Sequence, residues 1–175
     1  MQKGAFTISS AHSFRSRSVA ETEALAHALG VALGKADDPG LVIALDGDLG
    51  AGKTVFVKGL ASGLGLDRDL VSSPTFVLAQ QYAGERFRLH HVDLYRIEHA
   101  AELEGIGFDE MLDPPDVAAV EWSARFPETL PVDRLSVRID RVGPDEPDAR
   151  TLDVSAGGPR AQRVLDAWRA GAPAQ

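Results

Sequence analysis

The chain has no cysteine. This removes a disulfide framework, a thiolate metal site and a cysteine nucleophile from the chemistries open to it. No stretch approaches the ~20 continuous apolar residues of a membrane-spanning helix, and the N-terminus lacks the basic-then-apolar layout of a secretory signal. No membrane association is expected, and a cytoplasmic location is the default. Positive charge is also short: 18 Lys and Arg stand against 26 Asp and Glu, a formal net charge of −8. Autonomous binding to a phosphate polyanion needs a concentrated basic surface. Any nucleic acid in this protein's work is therefore expected to be held by another subunit. Internal repeats and low-complexity segments are absent as well. The 175 residues are enough for one domain with a proper core and short for two.

What is present is a glycine-rich stretch around which the rest is arranged, Gly47-Asp48-Leu49-Gly50-Ala51-Gly52-Lys53-Thr54. An apolar run, Leu41–Leu45, precedes it, and a segment with helical spacing (Phe56, Leu60, Leu64) follows. Strand, glycine-rich turn and helix are the context in which G-x-x-x-x-G-K-[ST] cradles phosphates. Glycines let the backbone curl with its N–H groups inward and let phosphate oxygens approach without a Cβ in the way. The helix start adds unpaired N–H donors and the positive end of its dipole. Lys53 then reaches the β/γ-phosphates, and the Thr54 hydroxyl is suited to magnesium. The expected ligand is a nucleoside triphosphate with Mg2+.

Around this stretch the chain reads as one α/β domain. Gly4–Ser10 has strand alternation. Ser18-Val19-Ala20-Glu21 fits a capping box opening a helix with Leu25, Leu29 and Leu33 on one face, ending near Gly34. Gly59 and Gly63 sit inside the helix after the loop, where close packing on the sheet would account for them. Val77–Tyr82 and Arg86–Val92 read as strands, Ala101–Leu112 as a helix interrupted by Gly105 and Gly107, and Val117–Val120 as a second buried strand. Strands Leu135–Ile139 and Thr151–Val154 flank an acidic turn, Gly143–Asp148, and a last helix carries Ala161, Val164, Leu165 and Trp168 on its core face.

A triphosphate with magnesium needs a carboxylate from a neighbouring strand end. Glu121 closes the most apolar strand after the loop's own and is assigned to the metal, directly or through water. Asp93 closes the strand before it and is assigned to the attacking water or to waters of the metal. Ser72, Ser73 and Thr75, around Pro74, suit either a segment sensing the γ-phosphate or a plain turn. His90 and His91 fall on opposite strand faces, so they cannot chelate jointly. Neither has an evident partner, and both read as surface or core histidines. Trp168 reads as core. Trp122 is either core packing or an aromatic wall of the site, core packing being the simpler reading. Arg96 and Arg125 could neutralise charge, but nothing in the sequence brings them to the phosphates.

Five segments in order, GDLGAGKT, SPTF, HVDLYR, ELEGIGF and VEW, are together similar to the bacterial TsaE ATPase family, a subunit of the machinery that makes threonylcarbamoyladenosine in tRNA. The resemblance runs from about residue 18 to 155. It implies a P-loop NTPase-like three-layer α/β sandwich with a mixed parallel and antiparallel sheet. One ATPase domain is expected over residues 1–170, and from its terminal position residues 171–175 are expected to be a flexible tail. It also implies cytoplasmic hydrolysis of ATP, weak alone and strong with the TsaD and TsaB subunits, with tRNA met only through that complex. By position, the resemblance makes Thr54 and Glu121 the magnesium contacts, Asp93 the essential strand-end aspartate, and the segment around Thr75 the switch-like loop. One segment departs from the family pattern. Where members often carry Gly-Arg-Glu-x-Arg, this chain has Glu146-Pro147-Asp148-Ala149-Arg150, so only the last arginine has a counterpart. Two other uses of such a loop are a small-molecule kinase and a GTP switch. The kinase reading lacks an arginine-bearing lid pattern over Ser123–Gly143, and the switch reading lacks an Asn-Lys-x-Asp tetrapeptide.

Overall fold

A computed structural model describes residues 9–37, 40–74 and 76–174. In chain order the elements are β1 (Ser9–Ser16), α1 (Val19–Gly34), β2 (Leu41–Asp46), α2 (Lys53–Gly63), β3 (Ala79–Ala83), β4 (Arg88–Asp93), α3 (Phe108–Met111), β5 (Val117–Glu121), β6 (Leu135–Gly143), β7 (Glu146–Ala156) and α4 (Pro159–Gly171). They build a seven-stranded sheet in the order β1-β7-β6-β2-β5-β4-β3. The central strands β6, β2, β5 and β4 run parallel, while β3, β7 and β1 join their neighbours antiparallel. The fold is thus α/β with a mixed sheet. No helix among the described residues is long and apolar enough to cross a membrane.

The unbroken apolar character of β2 and β5 follows from cover on both faces. On one face Ile43, Leu45, Leu89, Val117 and Ala119 pack with Leu25, Leu29, Phe56, Leu60 and Trp168 from α1, α2 and α4. On the other, Val42, Ala44, Val92, Ala118 and Val120 meet Leu103, Phe108 and Phe126. Side chains alternate along each strand. Asp93 therefore shares a face with Leu89, and Glu121 with Val117 and Ala119, which is the face that α2 covers.

Most expected boundaries fall within two residues of the observed ones, and the departures have local causes. The expected Gly4–Ser10 strand lies largely outside the described residues; the described β1 begins at Ser9. β3 starts at Ala79 rather than 77 because Leu78 has φ 65°, which turns the backbone out of a strand. The stretch read as one helix over 101–112 is a 3-10 helix, Ala100–Ile106, then Gly107 at φ 67° and the four-residue α3. The acidic turn is tighter than expected, since β7 already begins at Glu146. Pro147 is tolerated there because β1 pairs with β7 only from Arg150 onward.

Two features of the helical layer bear on the site. Ser18 Oγ accepts from Glu21 N at 3.1 Å, so Ser18 caps α1 as its sequence proposes; the reciprocal half of the capping box differs, since Glu21 Oε2 accepts at 2.7 Å from the N–H of Arg17, one residue before the N-cap. Gly59 and Gly63 pack against α1 and not against the sheet, a correction to the sequence reading. A Cβ at Gly59 would lie 2.3 Å from Glu23 O, and one at Gly63 would lie 2.1 Å from His27 O. Gly30 of α1 stands opposite, its missing Cβ 2.4 Å from Leu60 O. The helices cross backbone to backbone, and this seats α2 and the loop at its head.

Candidate functional site

The loop leaves β2 at Asp46 and enters α2 at Lys53, curled by an internal turn in which Ala51 N donates to Asp48 O at 3.0 Å. Gly47 has φ 142°, and a Cβ there would sit 2.3 Å from Ile139 O on β6, so no other residue fits. Gly52 is the N-cap of α2 with φ 110° and brings no capping side chain. The first-turn N–H groups of α2 are thereby left for an anion, at the positive end of an eleven-residue helix.

Lys53 is 5 % exposed, and its ammonium donates to Gly47 O at 2.7 Å and Asp48 O at 3.1 Å. Burial pushes its pKa below the ordinary lysine value, while the carboxylates of Glu121, Asp93, Asp46 and Asp48 push it back up. A buried ammonium whose hydrogen bonds go to neutral backbone carbonyls can exchange them for charge-assisted bonds to phosphate oxygens. The ring of Trp122 has its centroid 4.2 Å from Lys53 Nζ.

The acids come from neighbouring strands. Asp93 and Glu121 are direct register partners across β4 and β5. Both are buried, and both line a cleft of about 320 Å3 together with Leu49, Gly50, Gly52, Lys53, Thr54, Ser73, Tyr95 and Trp122. Thr54 Oγ1 lies 3.4 Å from Glu121 Oε1. Asp93 Oδ1 accepts the N–H of Tyr95 at 2.9 Å, which holds its carboxylate at the strand end.

The rest of the cleft wall is tied down from behind. Asp46 accepts from Ser123 Oγ at 2.5 Å and from Ala124 N at 2.9 Å. This anchors the turn after β5, where Trp122 takes φ 59°. The ring packs against Tyr95 at a tilt of 46°, 5.0 Å between centroids. Trp122 is thus an aromatic wall of the cleft as well as packing for the core, whereas core packing alone was the simpler sequence reading. Two arginines of the β6–β7 hairpin reach the loop backbone: Arg150 Nε donates to Ala51 O at 2.6 Å, and Arg141 Nη2 to Gly50 O at 3.2 Å.

A sequence profile described as "Threonylcarbamoyl adenosine biosynthesis protein TsaE" matches residues 16–151. This chain belongs to the TsaE family. It is 43 % identical over 128 residues to the tRNA threonylcarbamoyladenosine biosynthesis protein TsaE of Bacillus subtilis, covering 73 % of this chain and 77 % of that one. It is 41 % identical over 136 residues to the Streptomyces coelicolor protein of the same name, covering 75 % and 90 %. The crystal structure of Bacillus subtilis YdiB superposes with a TM-score of 0.71 at 32 % identity, covering 92 % of this chain and 95 % of that one.

In this TsaE-family fold the residues singled out from sequence separate into groups. The loop, Lys53, Thr54, Asp93 and Glu121 converge on the cleft, and Ser73 lines it. Thr75 lies outside the described residues. Ser72 instead shares a hydrogen bond with Gln80 of β3, and Arg96 lies over the ring of Phe76, 4.6 Å away. Arg125 donates to the carbonyls of Tyr95 and Ile97, which makes it a brace beneath the cleft rim. Trp168 is core, its Nε1 donating to Leu25 O at 2.8 Å. The histidines are corrected: each has a carboxylate partner. His91 Nε2 lies 2.7 Å from Glu121 Oε1, and His90 Nε2 lies 2.9 Å from Asp116 Oδ2 at the far end of β4. Sequence reasoning also missed Asp46 and Arg141. The one available signal for His91 was its spacing of two before Asp93; the strand register that gives it Glu121 is not readable from sequence.

The donors present suit magnesium. The Thr54 hydroxyl and the Glu121 carboxylate are hard oxygen ligands side by side on an open cleft wall, which fits a cation that keeps waters and takes phosphate oxygens. Among the described residues no three His, Asp or Glu gather into a metal cluster, so such a cation would draw further ligands from substrate and solvent.

Proposed function

We propose that this chain is the Mg2+-dependent ATPase subunit of the threonylcarbamoyladenosine machinery. ATP binds with its phosphates in the amides of Gly47–Thr54, and hydrolysis is weak in the free subunit and strong when TsaD and TsaB are bound. The reading places this work in the cytoplasm, with tRNA reached only through the assembled complex. The observation that carries it is the pairing of Asp93 with Glu121 across β4 and β5, both opening on the cleft that holds Lys53 and Thr54.

Each residue has a role that its surroundings support. The loop amides and the first turn of α2 fix the phosphates, and Lys53 adds a charge-assisted contact. Magnesium, held by Thr54 and Glu121, would offset charge on the phosphate oxygens. Asp93, on the adjoining strand, orients the attacking water. Its carboxylate is kept in place by the Tyr95 N–H, so little reorganisation is needed at the moment of reaction. In this reading the phosphoryl group passes to water. Ser73, which lines the cleft, is given the sensing of the γ-phosphate, and Thr75 shares that role by the family resemblance.

The experiment is ATP hydrolysis by the purified chain, alone and with its cognate TsaD and TsaB. Slow turnover alone and clear stimulation by the pair are expected. A correctly assembled pair that leaves the rate unchanged would overturn the proposal, and a preference for GTP in competition binding would overturn the choice of nucleotide.

A further inference from the structure

His91 stands behind the acid assigned to the cation. It precedes Asp93 by two residues on β4, so strand alternation turns its ring to the α2 face, beside Glu121 of β5. The ring is wholly enclosed, and Nε2 lies 2.7 Å from Glu121 Oε1, the same oxygen that Thr54 Oγ1 approaches at 3.4 Å. The second ring nitrogen, Nδ1, is buried and has no hydrogen-bond partner. A hydrogen on Nδ1 would be a buried donor with nothing to receive it, whereas a hydrogen on Nε2 meets a carboxylate. The geometry therefore selects one tautomer.

We infer that His91 is a positioning residue for Glu121. Its ring carries hydrogen on Nε2 and none on Nδ1, donates to Oε1, and holds the carboxylate in one orientation while leaving Oε2 uncommitted by this bond. A glutamate side chain has several rotatable bonds, and a carboxylate meant to meet a cation gains from a fixed partner behind it. From β4 the buried imidazole reaches Oε1 directly through Nε2. This role rests on the Mg-ATP reading above and assigns the machinery within it.

Two measurements test it. In the free full-length protein, two-bond 1H–15N correlations of the His91 ring should show hydrogen on Nε2 and a bare Nδ1; hydrogen on Nδ1 would overturn the inference. Binding of a fluorescent ATP analogue is then compared in magnesium and in EDTA for wild type, H91F, H91N and H91Q, each checked for a folded far-UV spectrum. Gln sets an amide N–H near the Nε2 position, whereas Asn reaches only as far as Nδ1. Affinity in magnesium should fall about tenfold in H91F and H91N, fall less than about twofold in EDTA, and return in H91Q. A purely packing role would favour the ring-shaped Phe over Gln, the reverse order. A wild type that responds to magnesium alongside an H91F variant that responds equally would overturn the positioning role alone. A wild type that binds no nucleotide in either condition would overturn the Mg-ATP reading and this role with it. If the variants do not fold, the ring tautomer in the wild type decides.

Discussion

Replacing Gly59 with alanine tests how α2, and with it the phosphate loop, is seated. In an isolated helix this change is favourable by about 1 kcal/mol. Here the new Cβ would stand 2.3 Å from Glu23 O, 2.9 Å from Glu23 Cα and 2.9 Å from Ala26 Cβ. Two of these are backbone atoms of α1 and cannot swing aside. Raising the shortest separation to 3.4 Å, where ordinary contact begins, needs a relative shift of about 1.1 Å between the helices. That shift pulls Phe56 and Leu60 away from Leu25 and Leu29 in a core without slack. Overpacking of this kind costs about 1–3 kcal/mol and occasionally more; because rigid backbone is opposed, we take the upper end, about 3 kcal/mol, against the gain of about 1 kcal/mol. The net loss of about 2 kcal/mol corresponds to a drop in Tm of roughly 4–8 °C for a chain of this size. Since Lys53 and Thr54 form the first turn of the displaced helix, nucleotide affinity should fall as well. Thermal unfolding of G59A beside G171A is the assay; a Cβ at Gly171, the last residue of α4, meets nothing within 4 Å. G171A should stay within about 0.5 kcal/mol of wild type. A G59A protein more stable than wild type would show that the helices are not held at backbone contact, and the account of the glycines would fail.

Further outcomes are expected around the cleft and beyond it. Mg-ATP at a hundred times its Kd should stabilise the wild type by about 2.7 kcal/mol, read as a rise in Tm that K53A abolishes; an equal rise in K53A would remove the lysine from the phosphate site. E121A should keep some nucleotide binding, with affinity in magnesium reduced, and lose magnesium-dependent hydrolysis; undiminished turnover would transfer the metal role to Asp93. R150K should weaken nucleotide binding about fivefold, because a lysine cannot span the carbonyls of Ala51, Pro147 and Ala149 that the guanidinium joins; unchanged affinity would mean the loop holds its shape unaided. At the far end of β4, burial pushes the Asp116 carboxyl up, but hydrogen bonds from His90 and from the backbone and side chain of Arg88 outweigh it and the net direction is down. With a folded pKa below the unfolded value of about 3.9, this carboxylate stabilises fully above that pH and its contribution is lost as pH falls through the folded pKa. D116N should therefore be less stable than wild type near neutrality by about 2 kcal/mol, with the gap closing below about pH 4; a gap independent of pH would contradict the charged pairing.

The phosphate loop was legible because its chemistry is local. The glycines, Lys53 and Thr54 are contiguous, and an apolar strand before them and helical spacing after them supply the context that makes them a cradle. Glu121 was legible for a related reason, since a strand with no polar residue until its last position announces where that residue emerges. Asp93, at the end of a strand that also carries Arg88, His90 and His91, was marked by its strand-end position alone. Partners across the sheet were not legible. His91 looked unpartnered because Glu121 is thirty residues away and meets it only through the β4–β5 register. Asp46 and Arg141 are ordinary residues along the chain, and they become supports of Trp122 and Gly50 only where β2, β5 and β6 lie side by side. Gly59 and Gly63 were visible as oddities in a helix, but their neighbour was taken to be the sheet when it is α1.

Short-range order settled which stretches become strand, turn and helix here, and which side chains are proposed for phosphate and cation, because period, capping and backbone freedom act over a few residues. Closing the sheet decided what those side chains face. Only the parallel pairing of β4 with β5 sets Asp93 beside Glu121 and slips a histidine behind it, since hydrogen-bond register between strands far apart in the chain depends on how the whole core packs.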